Sequence, residues 1–222
     1  MIEQKTFAQK VIEFNKKISK ISMELPDGFQ IINPFNGSQK ETGILIDKFY
    51  INKSSSGFLY DVIEKYGGCK KFYLDFYMNF VCPVGIVRTN SKGNEVNCNY
   101  YDSKKLQEAL YSLIVSSIQE QIDLGIDTSI CYCIGSGENY TFLSKINEKY
   151  KFFEEIIPLE HPRFIMQYNS KHKDEFLEKY LTALNQNHNK EEVEVDMEKC
   201  KKRNTEHCAK SKFCANRSRK NT

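Results

Sequence analysis

The sequence predicts an α/β fold in which helices cover both faces of a short, mainly parallel sheet, a three-layer αβα arrangement. Segments with helical apolar spacing alternate with short β-rich segments, which is the pattern of βαβ units. The 222 residues are 40% hydrophobic and 13% aromatic, which is enough for one domain with a packed core. After about residue 185 the pattern gives way to polar and charged sequence. We therefore expect a domain over residues 1–184 and a disordered basic tail over residues 185–222.

Five helices are predicted from apolar residues spaced three and four positions apart. The first covers residues 6–21, and a second, over "SSSGFLYDVIEKYGG", ends at Gly67-Gly68. A long helix begins after Asp102-Ser103 and ends at Gly125. The remaining two cover "ENYTFLSKI" and "KHKDEFLEKYLTAL".

The β-rich segments between these helices predict the strands. "LPDGFQIINPF" indicates a turn, a short strand and an exit at proline, and "FYMNFVCPVGI" indicates a strand that ends at Asn79–Val81. "IVRTNSKGNEVNCNYY" is typical of a hairpin around Lys92-Gly93-Asn94. Two further strands are expected in "TSICYCI" and "EEIIPLE", ending at Ile134 and Leu159.

Hydrophobic patterning and cysteine usage predict a cytoplasmic protein. No apolar run approaches the roughly 18 residues of a membrane span, and "MIEQKTFAQK" lacks a secretory apolar core. Several cysteines lie in apolar or strand-like segments, where we expect them to be reduced and buried. These are Cys69, Cys82, Cys98, Cys131 and Cys133.

The charge is distributed unevenly along the chain. Residues 199–222 carry nine Lys or Arg against one acid, a net charge of +8, so the other 198 residues carry −5. Such a basic tail favours salt-sensitive binding to nucleic acid. Four potential zinc ligands lie in it, but their intervals of seven, one and six positions fit no usual zinc motif, so we expect neither metal nor cofactor. The four are Cys200, His207, Cys208 and Cys214.

Polar side chains follow three of the predicted strands, at the sheet edge where α/β proteins bind ligands. Asn79 could pair with an imide edge through its donor and its acceptor, or it could cap its own loop. Gly135-Ser136-Gly137 could hold a phosphate, or form an ordinary strand-to-helix turn. His161-Pro162-Arg163 could form the rim of a site, or a surface turn. Three such signals at one edge predict a shared cleft.

These segments resemble a known family, the bacterial uracil-DNA glycosylases related to the single-strand-selective monofunctional enzymes. The resemblance covers Thr6 to Leu184 and rests most specifically on "NYYDSK", "IGSGENYTFLSKINE" and "PLEHPRFIMQY", with "TFAQKVIEFN", "INPF", "YDVIEKYGG" and "FYMNFVCPVG" in support. It implies base-excision repair by hydrolysis of the N-glycosidic bond of a uracil flipped out of DNA. The implied partner is single-stranded DNA or DNA with a flipped uracil, bound by a monomer without a cofactor.

The resemblance also implies a role for each polar position. Asn79 would hydrogen-bond the flipped uracil, and the His161 imidazole would lie near uracil O2 and stabilise the departing anion. The remaining positions would contact DNA, either at a phosphate or in the minor groove. They are Gly135, Ser136, Gly137, Pro162, Arg163 and Phe164.

One part of the family pattern is missing. The family carries a strand and a loop that positions the attacking water, whereas "DKFYINKSSSGFLYDV" passes directly into the next helix, an internal truncation near residues 50–54. The "GILID" run, with Asp47 near its end, is a weak substitute. We therefore expect impaired excision. A catalytically dead member that still binds DNA or a base, and a non-functional deletion remnant, stay open.

Overall fold

The described part of the chain, residues 5–32 and 55–185 of a computed structural model, alternates helices and strands. Its helices are α1 Phe7–Ile18, α2 Ser55–Tyr66, α3 Gly68–Asp75, α4 Lys104–Asp123, α5 Glu138–Tyr150, α6 Pro162–Tyr168 and α7, residues 173–185. Its strands are β1 Phe29–Ile32, β2 Gly85–Thr89, β3 Glu95–Cys98, β4 Ile130–Ile134 and β5 Glu155–Leu159. None of the helices in these segments is long and apolar enough to cross a lipid bilayer.

The strands form two sheets. β4 and β5 pair in parallel, joined by α5, as expected of a βαβ unit. β1, β2 and β3 form an antiparallel sheet with β2 in the centre, and the hairpin that joins β2 to β3 lies where the sequence predicts it. The α/β class is confirmed, but parallel pairing is confirmed only for β4 and β5. A short hairpin turn can connect only antiparallel strands, which explains the pairing of β2 with β3.

The prediction of a strand that ends at Asn79–Val81 is wrong. α2 ends at Tyr66 as predicted, but α3 begins two residues later and continues to Asp75, and residues 76–80 form no strand. The aromatic side chains of this segment pack on one another and on the end of α2 instead of alternating along a strand. The Tyr66 ring lies 5.8 Å from that of Phe72 and 5.3 Å from that of Phe76.

The apolar core of the first compact unit, Met1–Lys173, brings the two sheets and their helices together. α4 contributes Leu106, Leu110 and Ile114, whose side chains are fully buried on one face of the helix. Each such burial stabilises the fold by about 1.5–3 kcal/mol. The cluster continues through the other elements with Phe14, Phe29, Ile86, Cys133, Phe142 and Leu143.

The cysteines of the described residues are free thiols, although only Cys133 is fully buried and the others are partly exposed. The second compact unit is Asp174–Thr222, of which the structure describes only residues up to 185, the greater part of α7. Leu177, Tyr180 and Leu184 of that helix are buried. The predicted tail over residues 185–222 stays a prediction, since it lies almost entirely outside the described residues.

Candidate functional site

The parallel pair brings two of the predicted loops side by side. Ile134 and Leu159 are register partners at the ends of β4 and β5. One residue further on, the Gly135 N–H donates to the Leu159 carbonyl over 2.7 Å. The Gly135–Gly137 loop and the loop around His161 therefore leave the same sheet edge as neighbours, at the position where α/β proteins bind ligands.

His161 forms the N-cap of α6, and this contact decides which ring nitrogen carries a proton. Its Nδ1 accepts a hydrogen bond from the Arg163 N–H over 3.0 Å. An accepting Nδ1 places the proton of the neutral ring on Nε2. Partial burial of the ring and, second, the Arg163 charge lower the pKa of His161. Both effects keep the imidazole neutral near pH 7, with Nε2–H as a hydrogen-bond donor.

The residues after His161 are held by a buried proline. Pro162, at the first position of α6, is fully buried, and its fixed φ suits a helix start. Arg163 is exposed, and the Phe164 side chain is 48% exposed. The sequence-predicted DNA contacts thus project from a short helix that Pro162 anchors in the core.

The Gly135–Gly137 loop presents the start of α5. Gly135 has φ +115°, a conformation that favours glycine, and a Cβ there would contact Asn139 Cβ at 3.4 Å. Ser136 and Gly137 are exposed. In the first turn of α5 the Tyr140 N–H already donates to the Gly135 carbonyl over 3.2 Å, which leaves the N–H groups of Glu138 and Asn139 without an intrahelical partner. The Gly135 amide is already bonded to Leu159, so a phosphate would have to bind the later amides and the Ser136 hydroxyl. Glu138 in the first turn opposes such binding with its charge.

A partly buried hydrogen-bond chain holds this loop, and the sequence pattern gave no individual role to Tyr100 or Asn139, its two side-chain partners. The Tyr100 hydroxyl donates to Asn139 Oδ1 over 2.6 Å. Asn139 Nδ2 in turn donates to the Ile134 carbonyl over 3.2 Å and to Cys133 Sγ over 3.4 Å. Burial is the first cause that strongly raises the pKa of Tyr100, and the neighbouring acidic groups of Cys133, Tyr101, Cys82 and Glu138 follow, so the phenol stays protonated as a donor. Tyr100 and Asn139 lie 39 positions apart, so no local sequence pattern links them.

The neighbouring tyrosine connects this region to the loop after β5. The pKa of Tyr101 is raised first by burial, then by Asp102 and Glu138, and it is lowered by Arg163. Tyr101 thus interacts electrostatically with Glu138 in the first turn of α5 and with Arg163 at the start of α6. The "NYYDSK" segment therefore borders both loops.

Asn79 uses both ends of its amide within its own loop. Its Nδ2 donates to the Tyr77 hydroxyl over 2.7 Å, and its Oδ1 accepts from the Phe80 N–H over 2.8 Å. This is the loop-capping alternative. A contact of Phe76 with Tyr132, with ring centroids 5.8 Å apart, joins the segment to β4. That Asn79 and His161 share one cleft stays a prediction.

Two further expectations concern metal binding and the truncated segment. Within residues 5–32 and 55–185, no group of three or more His, Cys, Asp or Glu side chains is arranged to hold a metal ion. Asp47, the truncation near residues 50–54 and the four potential ligands of the tail lie outside the described residues.

Comparison with known proteins shows the family of the chain. The model of the uracil DNA glycosylase superfamily matches residues 33–185, and the chain belongs to this superfamily. Among solved structures, the chain is similar to wild-type SMUG2 of Pedobacter heparinus, with 34% identity and a TM-score of 0.76. The match covers 84% of this chain and 100% of that chain. No curated protein matches the chain. The resemblance found in the sequence is confirmed.

Proposed function

We propose that this protein binds DNA and hydrolyses the N-glycosidic bond of flipped-out uracil, at a strongly reduced rate. The observation that carries the proposal is His161, held as a neutral donor by its bond to the Arg163 N–H, beside the Gly135–Gly137 loop. Superfamily membership supports the reaction class.

The chemistry assigns His161 to the leaving group. When the bond between the sugar C1′ and uracil N1 breaks, its electron pair leaves with the base, and negative charge reaches uracil O2. A hydrogen bond from Nε2–H to O2 strengthens as this charge develops, so it favours the transition state over the bound substrate. A water molecule supplies the hydroxyl group that bonds to C1′, and the remaining proton of that water is released.

The reduced rate follows from the truncation near residues 50–54. In the family the missing segment positions the attacking water and supplies the aromatic ring that stacks on uracil. Positioning and general-base assistance together contribute several powers of ten in rate. With His161 present and the water-positioning loop missing, we expect slow or undetectable excision.

A binding protein without catalysis is the second candidate, and the Asn79 contacts favour it. To recognise uracil, Asn79 would have to exchange its bonds to Tyr77 and Phe80 for bonds to the base. That exchange costs affinity for the base but leaves phosphate contacts at Arg163 and Ser136 unaffected.

The first prediction tests His161 by uracil release from a labelled single-stranded oligonucleotide. His161→Ala removes both the imidazole and the N-cap acceptor, at a stability cost on the order of 1 kcal/mol. His161→Asn keeps a cap acceptor but removes the donor aimed at O2. We expect both variants to lose whatever excision the wild type shows. Only the alanine variant should unfold at a lower urea concentration than the wild type.

The outcomes separate the two candidate functions. Excision that His161→Asn retains would contradict the role of the imidazole. Rapid turnover by the wild type would contradict the impairment, and Asp47 would then be the first residue to test as the group that holds the water. Binding of the oligonucleotide with no release at high enzyme concentration would favour the binding protein.

A further inference from the structure

Two phenols and an ammonium group meet where the end of α5 lies against α4. The Lys149 Nζ lies 5.0 Å from the ring centroid of Tyr150 and 5.6 Å from that of Tyr111, which is the range of a cation–π contact. Tyr111 belongs to α4, and Lys149 and Tyr150 are the last two residues of α5. We call these three residues the Tyr150 cluster. α5 has 13 residues, so about 20 Å of helix separates the cluster from the Gly135–Gly137 loop.

Buried phenylalanines support both rings of the cluster. The Tyr150 ring stacks on that of Phe152, with centroids 5.3 Å apart and planes at 8°. The Tyr111 ring contacts that of Phe142 edge to face over 6.3 Å. Both phenylalanines are buried, whereas Tyr150 itself is 37% exposed. The Tyr150 oxygen is thus held in one environment and can still be reached from solvent.

The contacts within the cluster affect its phenol and its amine in opposite ways. Hydrogen bonding from Tyr111 and then from Lys149 lowers the pKa of Tyr150. Hydrogen bonding to Tyr150 is in turn the first cause that raises the pKa of Lys149, so this amine stays protonated. A protonated amine has no electron pair to donate, whereas a phenolate is a nucleophile. The Tyr150 oxygen is therefore the group of the cluster that can attack an electrophile.

We propose that Tyr150 is a modification site that accepts acyl groups from small activated acyl compounds. The phenolate oxygen attacks the carbonyl carbon, a C–O bond forms, and the bond from that carbon to the leaving group breaks. The leaving group departs with the electron pair of the broken bond and takes up the proton that the phenol has lost. The product is an aryl ester on Tyr150, and no group is oxidised or reduced. This inference is independent of the proposed function, because it concerns a surface outside the candidate site.

The experiment treats the full chain with limiting N-acetylimidazole at pH 7.5 and follows the acetylation of each tyrosine by peptide mass spectrometry. Hydroxylamine cleaves an aryl ester but not the amide of an acetylated lysine, so it identifies the tyrosine product. Tyr168 is the internal reference, because it is 71% exposed and none of the cation–π contacts of the described residues involves its ring. We expect Tyr150 to react faster than Tyr168 although it is the less accessible of the two.

Two variants separate the effect of the cluster from that of exposure. Lys149→Gln removes the ammonium group, and Tyr111→Phe removes the neighbouring hydroxyl but keeps its ring. Each should abolish the rate advantage of Tyr150 over Tyr168, whereas Lys149→Arg keeps a cation and should retain it. The midpoint of urea unfolding shows whether each variant is folded.

Three results would overturn the inference. If Tyr150 reacts no faster than Tyr168 in the wild type, the cluster does not activate it. If Tyr150 keeps its advantage in both Lys149→Gln and Tyr111→Phe, its reactivity has another origin. If the label resists hydroxylamine and lies on Lys149, the amine and not the phenol is the nucleophile.

Discussion

At the scale of single residues, His161 combines a structural and a chemical role in one ring. Nδ1 accepts from the Arg163 N–H and holds the start of α6, while Nε2–H remains as the donor. Protonation at Nδ1 would break the cap, which agrees with the lowered pKa of this histidine. The bond that fixes the tautomer therefore also resists the charged form.

This predicts a pH dependence of stability that belongs to His161. Because its folded-state pKa is lowered, the unfolded chain binds a proton first as the pH falls below the ordinary value of about 6.5. The stabilising contribution of His161 is thus fully present above that pH and is lost between the ordinary and the lowered pKa. When the pH is lowered from 7.5 to 5, the free energy of unfolding measured in urea should fall further for the wild type than for His161→Asn. Equal losses would contradict the contribution of His161.

At the scale of elements, β4, α5 and β5 form the frame of the site, and one side chain from outside the frame holds it in place. Tyr100 lies in the turn before α4, and its hydroxyl reaches Asn139 on α5. Through Asn139 it holds the end of β4, where the Gly135–Gly137 loop begins.

We predict that Tyr100→Phe destabilises the fold by about 1–2 kcal/mol, because it leaves the Asn139 oxygen without its donor in a protected position. Urea unfolding measures the loss. Tyr101→Phe removes the hydroxyl of the next, partly buried residue, which forms no hydrogen bond with the described residues, so it should change the stability by less than about 0.5 kcal/mol. If both variants unfold at the wild-type midpoint, the Tyr100–Asn139 bond contributes nothing to stability.

Local patterns predicted the elements whose side chains follow a regular period. α4 has apolar residues on one face, and β4 and β5 are short apolar runs that end in glycine or polar residues. The segment after Gly68 misled the prediction because its aromatic residues suit a strand by propensity but pack within a helix and a loop. Strand propensity measures how side chains pack, and a single sequence does not show what they pack against.

The candidate site was predictable only in part, for a related reason. The convergence of Gly135 and His161 follows from parallel strands that share an edge, which the alternation of elements already implies. The contacts of Asn79 with Tyr77 and Phe80, and of Tyr100 with Asn139, depend on rotamers and on pairings that no periodicity encodes.

At the scale of the whole molecule, charge is separated along the chain. Residues 199–222 carry +8 and the other 198 residues carry −5. A polyanion would be repelled by most of the body and attracted by the tail.

We predict that deleting residues 199–222 lowers single-strand affinity most at low salt. For every phosphate that the tail neutralises, the deletion should also make the slope of log affinity against log salt shallower by about 0.7. Anisotropy titrations at several salt concentrations measure both effects, with the full chain as the reference. A deletion that leaves the slope unchanged would show that the tail does not contact DNA.

α6 and the turn after it form a surface with the exposed rings of Phe164 and Tyr168 and the cations Arg163 and Lys171, and in the proposed DNA binding these two kinds of group act at different stages of an encounter. Long-range attraction between Arg163 or Lys171 and phosphate speeds association and is screened by salt. Stacking by Phe164 and Tyr168 begins only at contact, so it slows dissociation. Salt should therefore set how often DNA arrives at this surface, and the rings how long it remains there.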